Sequence, residues 1–129
     1  MLKGQEYTQL FQVTDKVYNG FIETFKDTNP LHTDDLFAKE KSFSGKVMHG
    51  NILNGFLSYF IGECLPQKNV IIQTQEIKYN LPVYLNDKLN FYAIVEDVFE
   101  SVNTVEFKFY FSNENNKKVA KGKIQIGII

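Results

Sequence analysis

His32 and His49 are the only imidazoles in the chain, and both fall in the stretch that leads up to one strongly apolar segment. Histidine is the side chain most easily poised for proton transfer near neutral pH. The run Asp27-Thr28-Asn29-Pro30-Leu31-His32 sets a carboxylate and an imidazole five positions apart across a proline turn. Residues that share a helical face are three or four apart, so this pair does not sit on one helix face. On a turn that follows a helix, however, the two side chains can converge on one point. A carboxylate and an imidazole around one water molecule form a general acid/base pair. One removes a proton from the water while the other protonates a carbon. The same residues would also build a plain turn, with Asp27 and Asn29 in Asx-type hydrogen bonds and His32 on the surface. Spacing alone leaves both readings open.

The second run, Gly45-Lys46-Val47-Met48-His49-Gly50-Asn51, leads directly into the apolar segment. If that segment is a helix, the free N–H groups and the dipole at its start form a site for a developing oxyanion. Gly50, without a side chain, would let a carbonyl approach closely. The alternative is a loop in which Gly50 eases the chain into the helix and His49 simply packs. His32, Asp34 and Asp35 lie near one another in sequence. No second histidine stands at ligand spacing and there is no cysteine pair, so no metal is expected. Cys64 falls on an apolar stripe and is expected to be a small core residue. Lys117, Lys118, Lys121 and Lys123 are expected to guard an edge strand rather than hold phosphates.

The elements that must position these residues fall into a helical half and a strand half, with no linker between them. Tyr7 to Val13 suits a short first strand. Thr14 is placed as an N-cap, Asp15 favours the first turn, and Val17, Phe21 and Phe25 follow at helical spacing. A short helix from about Asp15 to Phe25 is therefore predicted, stopped by Asn29-Pro30. One more helical turn is expected around Leu36, Phe37 and Lys39. From Gly50, the residues Ile52, Leu53, Phe56, Leu57, Phe60, Ile61 and Cys64 recur at three- and four-residue steps. They predict the longest and most buried helix, ended at Leu65-Pro66.

Beyond it the pattern alternates. Ile77, Tyr79 and Leu81 form one set, then Leu89 to Val95, then Val105 to Phe111, and Ile124 to Ile128 close the chain. Turn-rich clusters at Asn86-Asp87, Glu100 to Asn103 and Asn113 to Asn116 separate them. Four successive strands joined by short turns predict an antiparallel meander whose apolar face the helix covers. Phe107, Phe109 and Phe111 belong to that core before they belong to any ligand pocket. The fold class is α+β: a curled antiparallel sheet wrapped around one long central helix, in a single domain over residues 1–129.

Composition narrows the partners. All 14 basic residues are lysines, set against 15 acidic ones for a net charge of −1. Arginine's rigid fork is the usual tool for bidentate phosphate and base recognition, so nucleic acid is not an expected partner. A single cysteine cannot close an internal disulfide, which points to a reducing compartment. No run approaches the roughly 18 apolar residues of a membrane span. Met1 to Glu6 lack the apolar segment of a signal peptide, so the expected location is cytoplasmic.

Taken together, Asp27-Thr28-Asn29-Pro30-Leu31-His32 followed by His49-Gly50 resembles the MaoC-like family of (R)-specific enoyl-CoA hydratases. In that family an Asp-x-Asn-Pro-x-His motif precedes a His-Gly that opens the central helix of a hot-dog fold. Leu81-Pro82-Val83-Tyr84 with Asp87 also looks like the family's strand and turn beyond that helix, so the resemblance runs from about Thr14 to Lys88. It implies Asp27 and His32 as the catalytic pair that holds the water. It implies Gly50 as the backbone donor to the thioester oxygen. Asn29 would fix the turn, and His49 and Asn51 would stand with Gly50 on the substrate-binding side. The implied reaction is reversible hydration of trans-2-enoyl thioesters to (3R)-3-hydroxyacyl thioesters. It needs no metal or redox cofactor, and coenzyme A or an acyl carrier protein is the substrate's carrier. A homodimer or higher homo-oligomer is expected by the same resemblance.

Three departures touch the pocket walls. Phe25 and Lys26 stand where the family usually has a serine-glycine pair, Asn51 stands for a methionine, and Gly55 for a serine. Phe25 and Phe56 are bulky enough to shorten an acyl site. A hot-dog thioesterase and a non-catalytic acyl-binding subunit are the competing readings, because a fold does not fix a function.

Overall fold

The computed structural model describes residues 1–129. The chain opens with strand β1, Glu6–Gln12, which leads into α1, Asp15–Phe25. The Thr14 hydroxyl accepts from the Val17 N–H and caps that helix at its predicted start. The helix ends before Asn29-Pro30, at Lys26, which takes a left-handed conformation with φ of 63° and donates its N–H to the Ile22 carbonyl. Asn29-Pro30 does something else. Asn29 caps a further short helix, α2, Pro30–Thr33, with proline at its first position. Asp34 then caps α3, Asp35–Glu40.

The apolar helix begins as expected, but only α4, Asn51–Tyr59, is α-helical. Phe60–Cys64 continue it as a π-helical turn, so the single long α-helix predicted from the pattern is divided. The wider turn keeps Phe60, Ile61 and Leu65 all inside at once, each 3% exposed or less. Lys68 Nζ donates to the Gly62 and Glu63 carbonyls, satisfying acceptors left free at that end.

Four more strands follow: β2, Val70–Tyr79; β3, Lys88–Phe99; β4, Thr104–Ser112; and β5, Lys118–Ile128. The sheet order is β1-β3-β4-β5-β2, and every neighbouring pair is antiparallel. The predicted meander holds for β3, β4 and β5. The preceding strand does not join it beside β3; it pairs with β5 at the far edge. The eight residues between Tyr79 and Lys88 explain the difference. Asn80 and Leu81 still donate to Val119, Pro82 has no N–H, and Val83 and Tyr84 then pair with Met48 and Val47 under the His-Gly segment. This is a crossing, and no hairpin could make it. It also corrects the reading of the C-terminal lysines, because β5 lies inside the sheet and guards no edge.

Register shifts at Val95/Asp97 in β3 and Ile72/Thr74 in β2 curl the sheet. Its concave face carries Leu89, Phe91, Val95, Phe107, Phe111, Ile124 and Ile126, each nearly sealed from solvent, against Leu57 and Phe60 of the helix. Phe107, Phe109 and Phe111 are core, as predicted. Cys64 is half-buried against this core, and burial pushes its thiol pKa up, which makes it a poor nucleophile. No helix is long and apolar enough to cross a membrane.

Candidate active site

The short helix α2 brings the first motif together. Asn29 Oδ1 accepts from the Leu31 N–H, and the Asn29 carbonyl accepts from the His32 N–H. These bonds fold the proline turn so that His32 Nε2 lies 3.9 Å from Asp27 Oδ2, although the residues are five apart. The Asx-turn reading is also satisfied, since Asp27 Oδ1 accepts from the Asn29 N–H at 3.2 Å. One carboxylate oxygen shapes the turn and the other faces the imidazole. The His32 side chain is 18% exposed and that of Asp27 49%.

Protons on both histidines follow from their partners. His32 Nδ1 lies 2.7 Å from the Val47 carbonyl oxygen, which can only accept. Nδ1 therefore carries the proton, and in the neutral ring Nε2 presents a lone pair toward Asp27. Two acceptors 3.9 Å apart are too far for a direct hydrogen bond and correctly spaced to share a water that donates to both. The Tyr18 hydroxyl donates to the His32 carbonyl at 2.5 Å and anchors the same turn to α1.

His49 is buried, 3% exposed, between the rings of His32 and Phe21 at centroid distances of 4.0 and 4.5 Å. Its Nε2 donates to the Asp27 carbonyl at 2.9 Å, so it holds the carboxylate's own backbone. Its Nδ1 has no partner. Asp27, His32 and His49 thus offer three ligand atoms within 4.8 Å of one another, a grouping the sequence spacing did not suggest. The two imidazoles are stacked, with planes 28° apart; His32 Nδ1 is taken up by the Val47 carbonyl and His49 Nε2 by the Asp27 carbonyl. Asp34 and Asp35 are elsewhere: the first caps α3, and the second accepts from the Lys46 N–H.

Gly50 stands at the start of α4, beside this pair. Its N–H and that of Asn51 donate to no backbone acceptor, as expected for a helix start. Gly50 lets the Tyr79 ring lie close, since a methyl there would stand 2.9 Å from that ring and displace it. Asp27, His32, His49, Gly50, Asn51 and Tyr79 all line one cleft of about 540 Å³. A second cleft, of about 730 Å³, runs between α1 and α4 past Phe25 and Phe56 and shares Asp27, Asn51, Phe21 and Ile52 with the first. Asn29 lines neither; its part is to fold the turn.

Tyr79 is the residue that the sequence pattern misplaced. It alternates with Ile77 as a core residue would, yet it is 45% exposed and walls the cleft. The available signal was Asn51-x-x-Asn54, two amides three apart on the helix that faces it.

A curled antiparallel sheet closed over one helix, with a carboxylate–imidazole pair near that helix's N-terminus, defines a hot-dog domain. The chain belongs to the MaoC-like domain family, whose model matches residues 5–116. It is 35% identical to an (R)-specific enoyl-CoA hydratase of Aeromonas caviae over 69 residues, 54% of this chain and 52% of that protein. The stretch shared with that curated relative thus spans about half its length. An (R)-specific enoyl-CoA hydratase of Rhodospirillum rubrum is 29% identical over 106 residues, 82% of this chain and 74% of the relative. The solved (R)-hydratase from A. caviae involved in PHA biosynthesis superposes with a TM-score of 0.91, at 22% identity, covering 100% of this chain and 98% of the other.

Proposed function

We propose that the protein is a hydro-lyase that reversibly hydrates trans-2-enoyl thioesters to (3R)-3-hydroxyacyl thioesters. The observation that carries this reading is the 3.9 Å separation of Asp27 Oδ2 and His32 Nε2, which lets one water on the cleft side reach both, in the cleft that also holds Gly50. A water between the two gives up a proton to one member of the pair as its oxygen bonds to C3. The C2=C3 electrons move toward the carbonyl, and negative charge gathers on the thioester oxygen. The Gly50 N–H receives that charge. The pair returns a proton to C2, the electrons fall back, and the net change is addition of one water. One preorganised donor at the oxyanion supplies about 10²–10³ in rate, and a placed acid/base group about 10²–10⁴.

The relatives named as (R)-specific enoyl-CoA hydratases support the same class of reaction. Coenzyme A or an acyl carrier protein carries the acyl group, and no cofactor takes part. The cleft between α1 and α4 receives the acyl tail, with Phe25 and Phe56 limiting its length. The test follows loss of the conjugated thioester absorbance with short trans-2-enoyl-CoA substrates, repeated with acyl carrier protein thioesters. The wild type should be active and both Asp27→Asn and His32→Ala should lose at least about 10²-fold in kcat. Release of free thiol without hydration, or activity that survives both substitutions, would sink the proposal.

A further inference from the structure

Resting on that reading, we infer that the Tyr79 hydroxyl is a second donor to the thioester oxygen, acting beside the Gly50 N–H, and that Asn54 sets its direction. The placement comes from Gly50. A methyl built on that residue would stand 2.9 Å from the Tyr79 ring and 3.3 Å from its hydroxyl oxygen. The phenol therefore lies against the backbone whose N–H faces the oxyanion, and both line the cleft of Asp27 and His32.

The direction of the hydroxyl comes from a chain of amides. Gln75 Nε2 donates to Asn54 Oδ1, so in this structure the Asn54 nitrogen is the end turned toward Asn51 and Tyr79. Asn54 Nδ2 then donates to Asn51 Oδ1 at 2.8 Å and to the Tyr79 oxygen at 3.1 Å. An amide N–H has only protons to give, so the Tyr79 oxygen accepts and its own proton is free for another partner. That proton meets no protein acceptor. Burial raises the Tyr79 pKa above its ordinary 10, outweighing the opposing effect of the Asn54 hydrogen bond. The group is thus a neutral donor through the whole neutral range. A donor of this kind strengthens as charge develops on the oxygen, and so favours the transition state over the bound substrate.

Tyr79→Phe keeps the ring against Gly50 and removes only the hydroxyl. It should lower kcat for trans-2-enoyl-CoA by about 10²-fold while KM changes little. Asn54→Asp is the sharper test. Its carboxylate would accept the Tyr79 proton and draw it away from the substrate, so kcat should fall as far although the hydroxyl is still present. Polarisation can be read without turnover. In an Asp27→Asn background, trans-cinnamoyl-CoA should show a red-shifted absorbance when bound, and adding Tyr79→Phe or Asn54→Asp should shrink that shift. A wild type that fails to hydrate, with a red shift that still depends on Tyr79, would overturn the proposed reaction and leave this donor standing. A Tyr79→Phe enzyme with wild-type kcat and an unchanged shift would overturn the donor and leave the reaction standing. Absence of any binding or shift would overturn the donor as well.

Discussion

Lys26 shows what a single backbone position costs next to the Asp27–His32 turn. It ends α1 with φ of 63°, immediately before Asp27, and a side chain pays about 1–2 kcal/mol in that left-handed region. The glycine that the family usually carries just before its aspartate would pay nothing there. Lys26→Gly should therefore raise stability by roughly 0.5–1 kcal/mol, because glycine's extra freedom in the unfolded chain offsets part of the gain. Urea denaturation measures this, and a lower midpoint would mean that the turn is held by the lysine side chain instead. The departure at Phe25-Lys26 was visible in the sequence, but its consequence was not, because φ is a property of the folded turn. The convergence of Asp27 and His32 was partly legible for the opposite reason. Asn29-Pro30 restricts the backbone so strongly that five residues can close in essentially one way. The roles of Val47 and His49 were hidden, since one acts through its carbonyl and the other through a bond to the Asp27 carbonyl. Main-chain acceptors leave no trace in side-chain spacing.

Elements followed their periodicity where the signal is local, whereas the strand read from Ile77, Tyr79 and Leu81 runs instead over Val70–Tyr79 and leaves Leu81 outside it. The α1 helix matches its prediction at both ends, because Thr14 and the Val17, Phe21, Phe25 spacing are local signals. The partner of β2 was not local. Its pairing with β5 brings Gly122 so close to the Glu76 carbonyl that a Cβ there would stand 1.8 Å away, a constraint that no strand propensity encodes. Beside its backbone ladder, the edge strand β1 is tied to β3 by a side-chain bond from the Tyr92 hydroxyl to Glu6 Oε1 at 2.6 Å. That hydrogen bond, and then the small desolvation of the phenol and the negative charge of Glu6, push the Tyr92 pKa up to about 12. The sign follows directly. A phenol whose pKa is raised on folding stabilises β1 in full below pH 10, and the contribution is lost as pH rises from there toward about 12. An ultraviolet titration should show one phenolate appearing near pH 12 in the folded protein, and Glu6→Ala should return it toward 10. A titration in which no tyrosine lags behind the ordinary range would refute the contact.

At the scale of the whole molecule, the sheet has two open edges, β1 and β2, and they are not alike. β2 is the longer, ten residues against seven, and it carries exposed apolar groups on both faces. Ile71 and Ile72 are successive, so their side chains point to opposite sides of the sheet, yet they are 52% and 36% exposed. In an ordinary half-buried strand one of them would face the core. Exposure of both, along a row of unpaired N–H and C=O groups, is the pattern of an edge that another strand covers. A second copy meeting this edge with its own β2 would pair antiparallel and bury the isoleucines of both copies symmetrically. The net charge of −1 opposes such association very little. The protein should therefore sediment as a homodimer, with a thermal midpoint that rises with protein concentration. Ile71→Lys combined with Ile72→Lys places two cations on the paired edge and should yield a monomer in sedimentation velocity. Tyr79 ends the same strand, so dissociation should also cost activity by loosening the wall beside Gly50. A wild type that sediments as a monomer at every concentration would show that the isoleucines are left open to water.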